Sequence, residues 1–394
     1  MLAKQKKTIG IDLGSHSVKA IQLSHFGTGM KVDKALLVNL DSSSDEARRI
    51  ESTTRALRNV ASAFDTRKCT IVTALPGQDT FIRYLRFPKM PPDELKNSIE
   101  LEADQNLPYD LAEVSMDSVV LEEITERAET IMKILLVAAK NEMINNTMHL
   151  LQGVGLFANV LGVTTLAISD AFEINGGFKP DETVALVNIG ASSTNIHFCR
   201  DGVSNFTRDI LRGGRDLTAA IQKLLKLGFD EAERMKIEYS RAHAGKETDL
   251  DFQGAADEPP QLGDMLPDTP SDDFDTADST EPMAVAKNDD ASRIVNATRP
   301  ALNRLIGEIR RSIDYYEKQL YEKNVNRLVL SGGTAMYPGL DQALADATGV
   351  PVEIFNPVQA LIVEEDSREV KDLIENRAQF NVAVGLAARG IEQS

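Results

Sequence analysis

The residues best suited to hold phosphate come first in the chain. Asp12, Gly14, Ser15, Ser17 and Lys19 follow an apolar run from Thr8 to Leu13. A hairpin turn of glycine and small hydroxyl residues brings backbone N–H groups and side-chain donors to phosphate oxygens. Asp12, at the end of a buried strand, is placed to orient a magnesium ion through water, since Mg²⁺ keeps several waters. Lys19 adds positive charge. Taken alone, the same residues also describe an ordinary hairpin turn. His16 reads as a turn side chain rather than a base.

A second turn repeats the pattern. Asn188, Gly190, Ser192, Ser193 and Thr194 could grip the same phosphates from the opposite side, and two such turns are far more specific than one. After the apolar run Arg327–Leu330 come Gly332, Gly333, Thr334 and Met336; consecutive glycines let a flat ring approach the backbone. Gly213 and Gly214 open a helix whose N–H groups could face phosphate. Glu233 and Lys236, three apart, share one helix face. They either hold a ribose or form a surface ion pair.

The elements that position these residues alternate between strand and helix. Strands are expected at Thr8–Leu13, Val18–Leu23, Lys31–Leu40, Thr70–Ala74, Phe81–Phe87, Ser118–Glu122, Ile131–Ala138, Val184–Ile189, Thr194–Cys199, Val203–Ile210 and Arg327–Ser331. Helices are expected at Ser43–Ala63, Asp93–Asn106, Asn141–Gln152, Thr165–Glu173, Gly214–Leu227, Asp230–Ser240 and Pro300–Glu322. In the last of these, Leu302, Leu305, Ile309, Ile313, Tyr316 and Leu320 form one apolar stripe, with Pro300 in the first turn or at a kink. The segment Ile9–Leu23 lies over Ala185–Cys199, matching Asp12 with Asn188, Gly14 with Gly190 and Ser17 with Ser193. Such an echo suggests two similar domains with a ligand held between them.

Composition excludes several classes. The chain has 394 residues and a net charge of −17, which disfavours nucleic-acid backbones. Two cysteines, Cys69 and Cys199, rule out a disulfide scaffold or a CxxC metal site. The uncharged stretch Leu150–Ser169 carries polar and glycine residues, so it reads as helix, turn, strand and helix of a core rather than a membrane span. The basic start lacks the apolar region of a signal peptide, which points to the cytosol. Gly245–Ala291 holds fourteen acidic residues against two lysines, with five prolines, and is expected to be a disordered insertion.

In this order, the five elements resemble the actin-like ATPase superfamily. The resemblance implies an α/β fold of two duplicated RNase H-like domains with ATP and magnesium in the cleft. Residues 1–178, with 379–394 returning to them, would form the first domain, and 179–378 the second. Asp12, Gly14, Ser15, Ser17 and Lys19 would form the first phosphate loop and Gly190, Ser192, Ser193 and Thr194 the second. Glu233 and Lys236 would contact ribose or base, and Gly332, Gly333, Thr334 and Met336 the adenosine. Helices at Thr164–Glu173 and Asn381–Arg389 would cross at a hinge, where Ala167, Gly385 and Ala388 allow close approach. The family's second turn usually begins with Asp. Asn188 keeps the hydrogen bonds but removes a carboxylate near the magnesium, weakening hydrolysis more than binding.

Residues 78–138, reading strand, helix, strand, strand, form a small α+β subdomain inserted in the first half. With Glu308–Tyr316, Leu330–Thr334 and Phe355–Pro357, they resemble the family of the type IV pilus assembly protein PilM. That resemblance implies a cytoplasmic ATP-binding protein at the inner-membrane face. It would dock the cytoplasmic N-terminal peptide of the inner-membrane pilus protein PilN and meet other pilus-machine proteins, including the assembly ATPase. Phe81, Arg83, Leu85, Leu95, Ile99 and Ala103 would border the groove, although an apolar helical stripe such as Leu95, Ile99 and Ala103 is more often plain subdomain core. The alternatives are a working ATPase or small-molecule kinase, or a filament-forming protein of cell division or of a type II secretion-related machine. A kinase needs a carboxylate base near the γ-phosphate, and none is evident.

Overall fold

The computed structural model describes residues 6–42, 45–245, 290–320 and 322–392. Apart from its ends, the acidic insertion lies outside the described residues. The chain divides into two compact units: Met1–Gly214 with Val325–Met336 and Pro351–Ser394, and Arg215–Asn324 with Tyr337–Val350.

The first unit holds three sheets. In chain order its first elements are β1 (Lys7–Leu13), β2 (Ser17–Phe26), β3 (Gly29–Asn39), α1 (Glu46–Ala63), β4 (Thr70–Leu75), β5 (Thr80–Pro88), α2 (Pro92–Asn106), β6 (Val114–Glu126), β7 (Glu129–Lys140), α3 (Asn141–Gln152), β8 (Val160–Val163) and α4 (Thr164–Ile174). There follow β9 (Thr183–Ile189), β10 (Thr194–Arg200), β11 (Val203–Ile210) and the start of α5 (Gly214–Leu225). After the second unit come β12 (Arg327–Ser331), β13 (Val352–Ile354), α9 (Lys371–Glu375) and α10 (Asn381–Glu392). The sheet orders are β3-β2-β1-β4-β8, β11-β10-β9-β12-β13 and β5-β7-β6. The first two repeat one plan: three antiparallel strands, then two parallel ones. The sequence echo between Ile9–Leu23 and Ala185–Cys199 is therefore a repeat of sheet topology. Strands β1 and β9 are buried on both faces, as central strands of such a sheet are.

Helix α10 is buried along almost its whole length and packs by way of glycines. A Cβ on Gly385 would lie 1.8 Å from the Ala167 carbonyl oxygen of α4. A Cβ on Gly10 of β1 would lie 2.1 Å from the Ala383 carbonyl oxygen. The expected close approach of Ala167 and Gly385 is thus backbone against backbone.

The inserted residues form the β5-β7-β6 sheet with α2 across one face. Ile99, Ala103, Met132, Ile134, Leu136 and Ala138 build its core, with Phe81, Leu85 and Leu95 against it. Side chains alternate along a strand, so the other face of β5 presents Tyr84. Its hydroxyl lies 2.7 Å from Ser204 Oγ on β11, which lies 2.7 Å from His197 Nε2 on β10; His197 Nδ1 lies 3.1 Å from the Thr165 carbonyl oxygen. A carbonyl only accepts, so Nδ1 carries the proton and Nε2 accepts from Ser204. Ser204 in turn accepts from Tyr84. Burial of this fully enclosed imidazole pulls its pKa down to about 4.

The second unit contains the rest of α5, α6 (Phe229–Ala242), α7 (Asp290–Asp314) and α8 (Leu340–Thr348). Helix α7 corrects the expectation of a start at Pro300. It begins ten residues earlier and carries Pro300 in its interior. Proline there costs one N–H donor. Even so, the helix continues, because Ile294, Ala297, Ala301, Leu302 and Leu305 bury one continuous face. The chain then widens into a π-turn over Tyr315–Gln319, and this rotates Leu320 out of the stripe to 39% exposure. Four short elements, β8, β13, α8 and α9, were absent from the strands and helices expected above, although Leu150–Ser169 does run helix, turn, strand and helix.

Two outcomes follow from this packing. Gly385→Ala drives a methyl into the Ala167 carbonyl and lowers the unfolding free energy by about 3 kcal/mol, the upper range for overpacking; urea denaturation measures it. His197 is held neutral, with its pKa below the usual 6.5. Its contribution is complete above pH 6.5 and is lost as pH falls towards 4. Between pH 7.5 and 5 this amounts to about 2 kcal/mol. Asp79, Asp170 and Asp209, whose carboxyls burial pushes upward, act in the opposite sense. The comparison is therefore with His197→Gln, which should lose less stability over that interval; parallel losses would exclude the imidazole as the source.

Candidate functional site

The first hairpin turn is set by the pairing of β1 with β2, which places Asp12 opposite Lys19 and Leu13 opposite Val18. Lys19 Nζ donates to Asp12 Oδ2 at 3.0 Å, with both side chains nearly enclosed at 13% and 12% exposure. Gly14 is required by space, because a Cβ there would meet the Ser17 carbonyl oxygen at 2.8 Å. Ser17 is buried as the first residue of β2.

The second turn is its counterpart between β9 and β10. Gly190 N–H donates to the Ser193 carbonyl at 2.9 Å and closes the turn, while Asn188 stands opposite Asn195. The Gly190 carbonyl then accepts twice, from Gly214 N–H at 2.9 Å and from Thr334 Oγ1 at 3.0 Å. Thr194 Oγ1 donates to the Arg212 carbonyl at 2.9 Å, and Gly213 passes so close that a Cβ would lie 2.6 Å from the Gly190 carbonyl oxygen. Ser192 Oγ donates to Ser15 Oγ at 2.8 Å, joining the two turns.

The loop after β12 completes the group. Gly332 has φ +88°, and a Cβ on it would lie 2.4 Å from the Ile189 carbonyl oxygen. Gly333 has more room, with its nearest neighbour at 3.5 Å, and Met336 is exposed. Ser331 Oγ donates to Asn188 Oδ1 at 3.4 Å and accepts from Asn381 Nδ2 at 2.8 Å. Asn381 Oδ1 is buried without a hydrogen-bond partner. The first unit thus brings Asp12, Gly14, Ser15, Ser17 and Lys19 together with Asn188, Gly190, Ser192, Ser193, Thr194, Gly213, Gly214, Gly332, Gly333, Thr334 and Met336.

Glu233 and Lys236 lie in the second unit. Lys236 Nζ donates to Glu233 Oε2 at 2.7 Å and to Thr218 Oγ1 at 2.9 Å, and Thr218 also bonds Glu233. At 13% and 14% exposure this is an enclosed ion pair, not the surface pair weighed above. Burial lowers the Lys236 pKa, with Glu233 opposing that shift.

Sequence reasoning missed Asn195, Asp209 and Thr165. Asn195 Nδ2 accepts nothing and donates to Asp209 Oδ1, Thr165 Oγ1 donates to the same oxygen at 3.4 Å, and Asn188 Nδ2 donates to Asn195 Oδ1 at 3.2 Å. Asp209 is the carboxylate joined to the Asn188–Asn195 pair, and burial raises its pKa. Its only signal in the sequence was its place near the end of a strand, four residues before Gly213.

A cavity of about 210 Å³ opens on the inserted subdomain. Phe81, Arg83 and Leu85 of β5 line it opposite Glu102, Ala103 and Asn106 of α2, with Tyr84 and Leu136. The Arg83 guanidinium lies over the Phe81 ring at 4.0 Å. Leu95, Ile99 and Ala103 all join the subdomain core, one of the two readings of their spacing, and of these three Ala103 also lines the cavity. Their i, i+4 spacing places them on the side of α2 that faces the sheet.

No helix among the described residues is long and apolar enough to cross a membrane. Comparison with known proteins gives a consistent assignment. The solved PilM-PilN type IV pilus biogenesis complex contains a chain 25% identical to this one, covering 98% of each chain with a TM-score of 0.74. The ethanolamine utilization protein EutJ from Carboxydothermus hydrogenoformans, 16% identical over 98% of this chain and 90% of its own, shares the fold at a TM-score of 0.50. The cell division protein FtsA of Enterococcus hirae is 21% identical over 387 residues, 91% of this chain and 80% of that protein. Together these neighbours show an actin-like ATPase fold. The sequence profile of the type IV pilus assembly protein PilM matches residues 10–247 and 287–391. The chain belongs to that family.

Proposed function

We propose that this protein binds ATP with magnesium on the four glycine loops of the first unit. We further propose that it docks the cytoplasmic N-terminal peptide of PilN in the cavity of the inserted subdomain. It would act at the cytoplasmic face of the inner membrane, supporting pilus biogenesis and twitching motility. One observation carries the nucleotide reading: the Gly190 carbonyl gathers Gly214 and Thr334 while Ser192 reaches Ser15. Gly14, Gly190, Gly213 and Gly332 all sit where a Cβ would strike backbone, so these loops are shaped for close backbone approach. The division into duplicated halves near residue 178 belongs to the same reading.

The residues fit a magnesium ion held chiefly by phosphate oxygens and water. Among the described residues there is no group of three His, Cys, Asp or Glu side chains to cage a cation. Asp12 would hold a water of the ion, in keeping with the incomplete dehydration of Mg²⁺. Positions 188 and 195 are amides, so binding should outlast turnover. For the partner, support comes from the likeness to the solved PilM-PilN complex. The cavity wall, apolar at Phe81, Leu85 and Leu136 and polar at Arg83 and Glu102, suits an extended peptide with apolar anchors.

Calorimetry with ATP and magnesium, following phosphate release in the same sample, tests the first part. Saturable binding with negligible release is expected, and sustained release would overturn the scaffold reading. Lys19→Ala should weaken ATP binding tenfold or more, the loss of a charge-assisted hydrogen bond worth about 1.5–3 kcal/mol. An unchanged affinity would remove Lys19 from the site. For the second part, Arg83→Glu, a charge reversal on the partly exposed cavity wall, should abolish binding of a synthetic PilN N-terminal peptide while leaving ATP binding intact. Full peptide binding by that variant would exclude the cavity.

A further inference from the structure

Strand β5 has two different neighbours. On one face Phe81, Arg83 and Leu85 form the wall of the cavity. Tyr84, between them in the strand, also borders the cavity, and its hydroxyl is hydrogen-bonded to Ser204 of β11. Ser204 sits at the end of the β10–β11 hairpin remote from the phosphate turn, opposite Cys199. Thr194 and Asn195, opposite Ile210 and Asp209, sit at the other end. The hairpin is therefore a short rod, with the second phosphate turn at one tip and the cavity wall near the other.

The hydrogen bonds along this rod run through Thr165. From Tyr84 the protons point to Ser204, then to His197, then to the Thr165 carbonyl, at 2.7, 2.7 and 3.1 Å. From the same residue, Thr165 Oγ1 points to Asp209, which also accepts from Asn195, itself bonded to Asn188 of the turn. Each proton on the Tyr84 side has one place. Thr165 is wholly buried in the first turn of α4, whose start carries no side-chain cap. Asn188 of the second turn is thus one end of this chain and Tyr84 the other.

We propose that Ser204 is a positioning residue that couples the second phosphate turn to the partner cavity, by holding Tyr84 at the cavity wall. This rests on the nucleotide and peptide reading above. It adds the physical route by which occupancy of one site changes affinity at the other. Coupling of this kind is reciprocal, so each ligand must change the affinity of the other by the same factor.

The test uses the full chain and two probes: a non-hydrolysable ATP analogue with magnesium, and a fluorescent synthetic peptide of the PilN N-terminus from the same organism. Peptide Kd is measured with and without the analogue, and analogue Kd with and without peptide. In the wild type the two ratios should agree and be about fivefold or more. In Ser204→Ala both should fall to within about twofold of unity, with the nucleotide-free peptide Kd unchanged. Ser204→Thr, which keeps the hydroxyl, should restore them. Tyr84→Phe, read by the same ratios alone, should match Ser204→Ala and provides a second break in the chain. A merely structural role would lower thermal stability and leave the ratios intact. Overturning results are a wild-type ratio of one, or undiminished ratios in both Ser204→Ala and Tyr84→Phe; either leaves the two-site reading standing. Failure of the wild type to bind peptide or analogue at all overturns that reading, and this inference with it.

Discussion

The approach of α10 to its neighbours is the constraint on which the first unit depends. Its core residues, Val382 to Ala388, are almost wholly buried. Glycines on both sides of the contacts remove the side chains that would hold the backbones apart: Gly10 lets β1 reach Ala383, and Gly385 lets α10 reach Ala167. One helix therefore fixes three things. It holds β1, whose end carries Asp12. It holds α4, whose first turn carries Thr165. Through Asn381 it also holds Ser331, the residue leading into the Gly332–Met336 loop. Apolar burial supplies the driving force, and the missing Cβ atoms supply the register.

This arrangement explains which parts were legible. The paired turns were, because close backbone approach demands glycine, and a demand of that kind leaves a residue type at a fixed place. Gly14, Gly190 and Gly332 could be read this way before any geometry was known. The inserted subdomain was also legible, as strand, helix, strand, strand between Leu75 and Asn141. What escaped depends on tertiary partners. Strands β8 and β13 are four and three residues long and are strands only because β4 and β12 offer an edge. Helix α7 was cut short at Pro300 because local propensity weighs proline heavily, whereas the buried stripe on both sides of it outweighs one lost donor. By spacing Leu95, Ile99 and Ala103 matched a core more readily than a groove, and all three join the subdomain core, Ala103 also lining the cavity.

Asp209 shows the limit most clearly. A lone aspartate near a strand end has no distinguishing pattern. Its significance comes from register, which sets it opposite Asn195, itself opposite Asn188. The hydrogen bonds across these strands all run one way: Asn381 to Ser331, Ser331 to Asn188, Asn188 to Asn195, Asn195 to Asp209. An amide supplies one donor and one acceptor at each step, so two amides in series pass the direction along intact. A carboxylate at 188 would accept from Ser331 but have no proton to give to Asn195 Oδ1. The amide at 188 is thus consistent with its surroundings rather than an isolated loss. The negative charge stands two strands away from position 188, on β11, where Thr165 also donates to it. On the nucleotide reading proposed above, a turn relieved of that charge would face an anionic ligand with less repulsion and have fewer groups to polarise water, which would favour holding a phosphate over cleaving it.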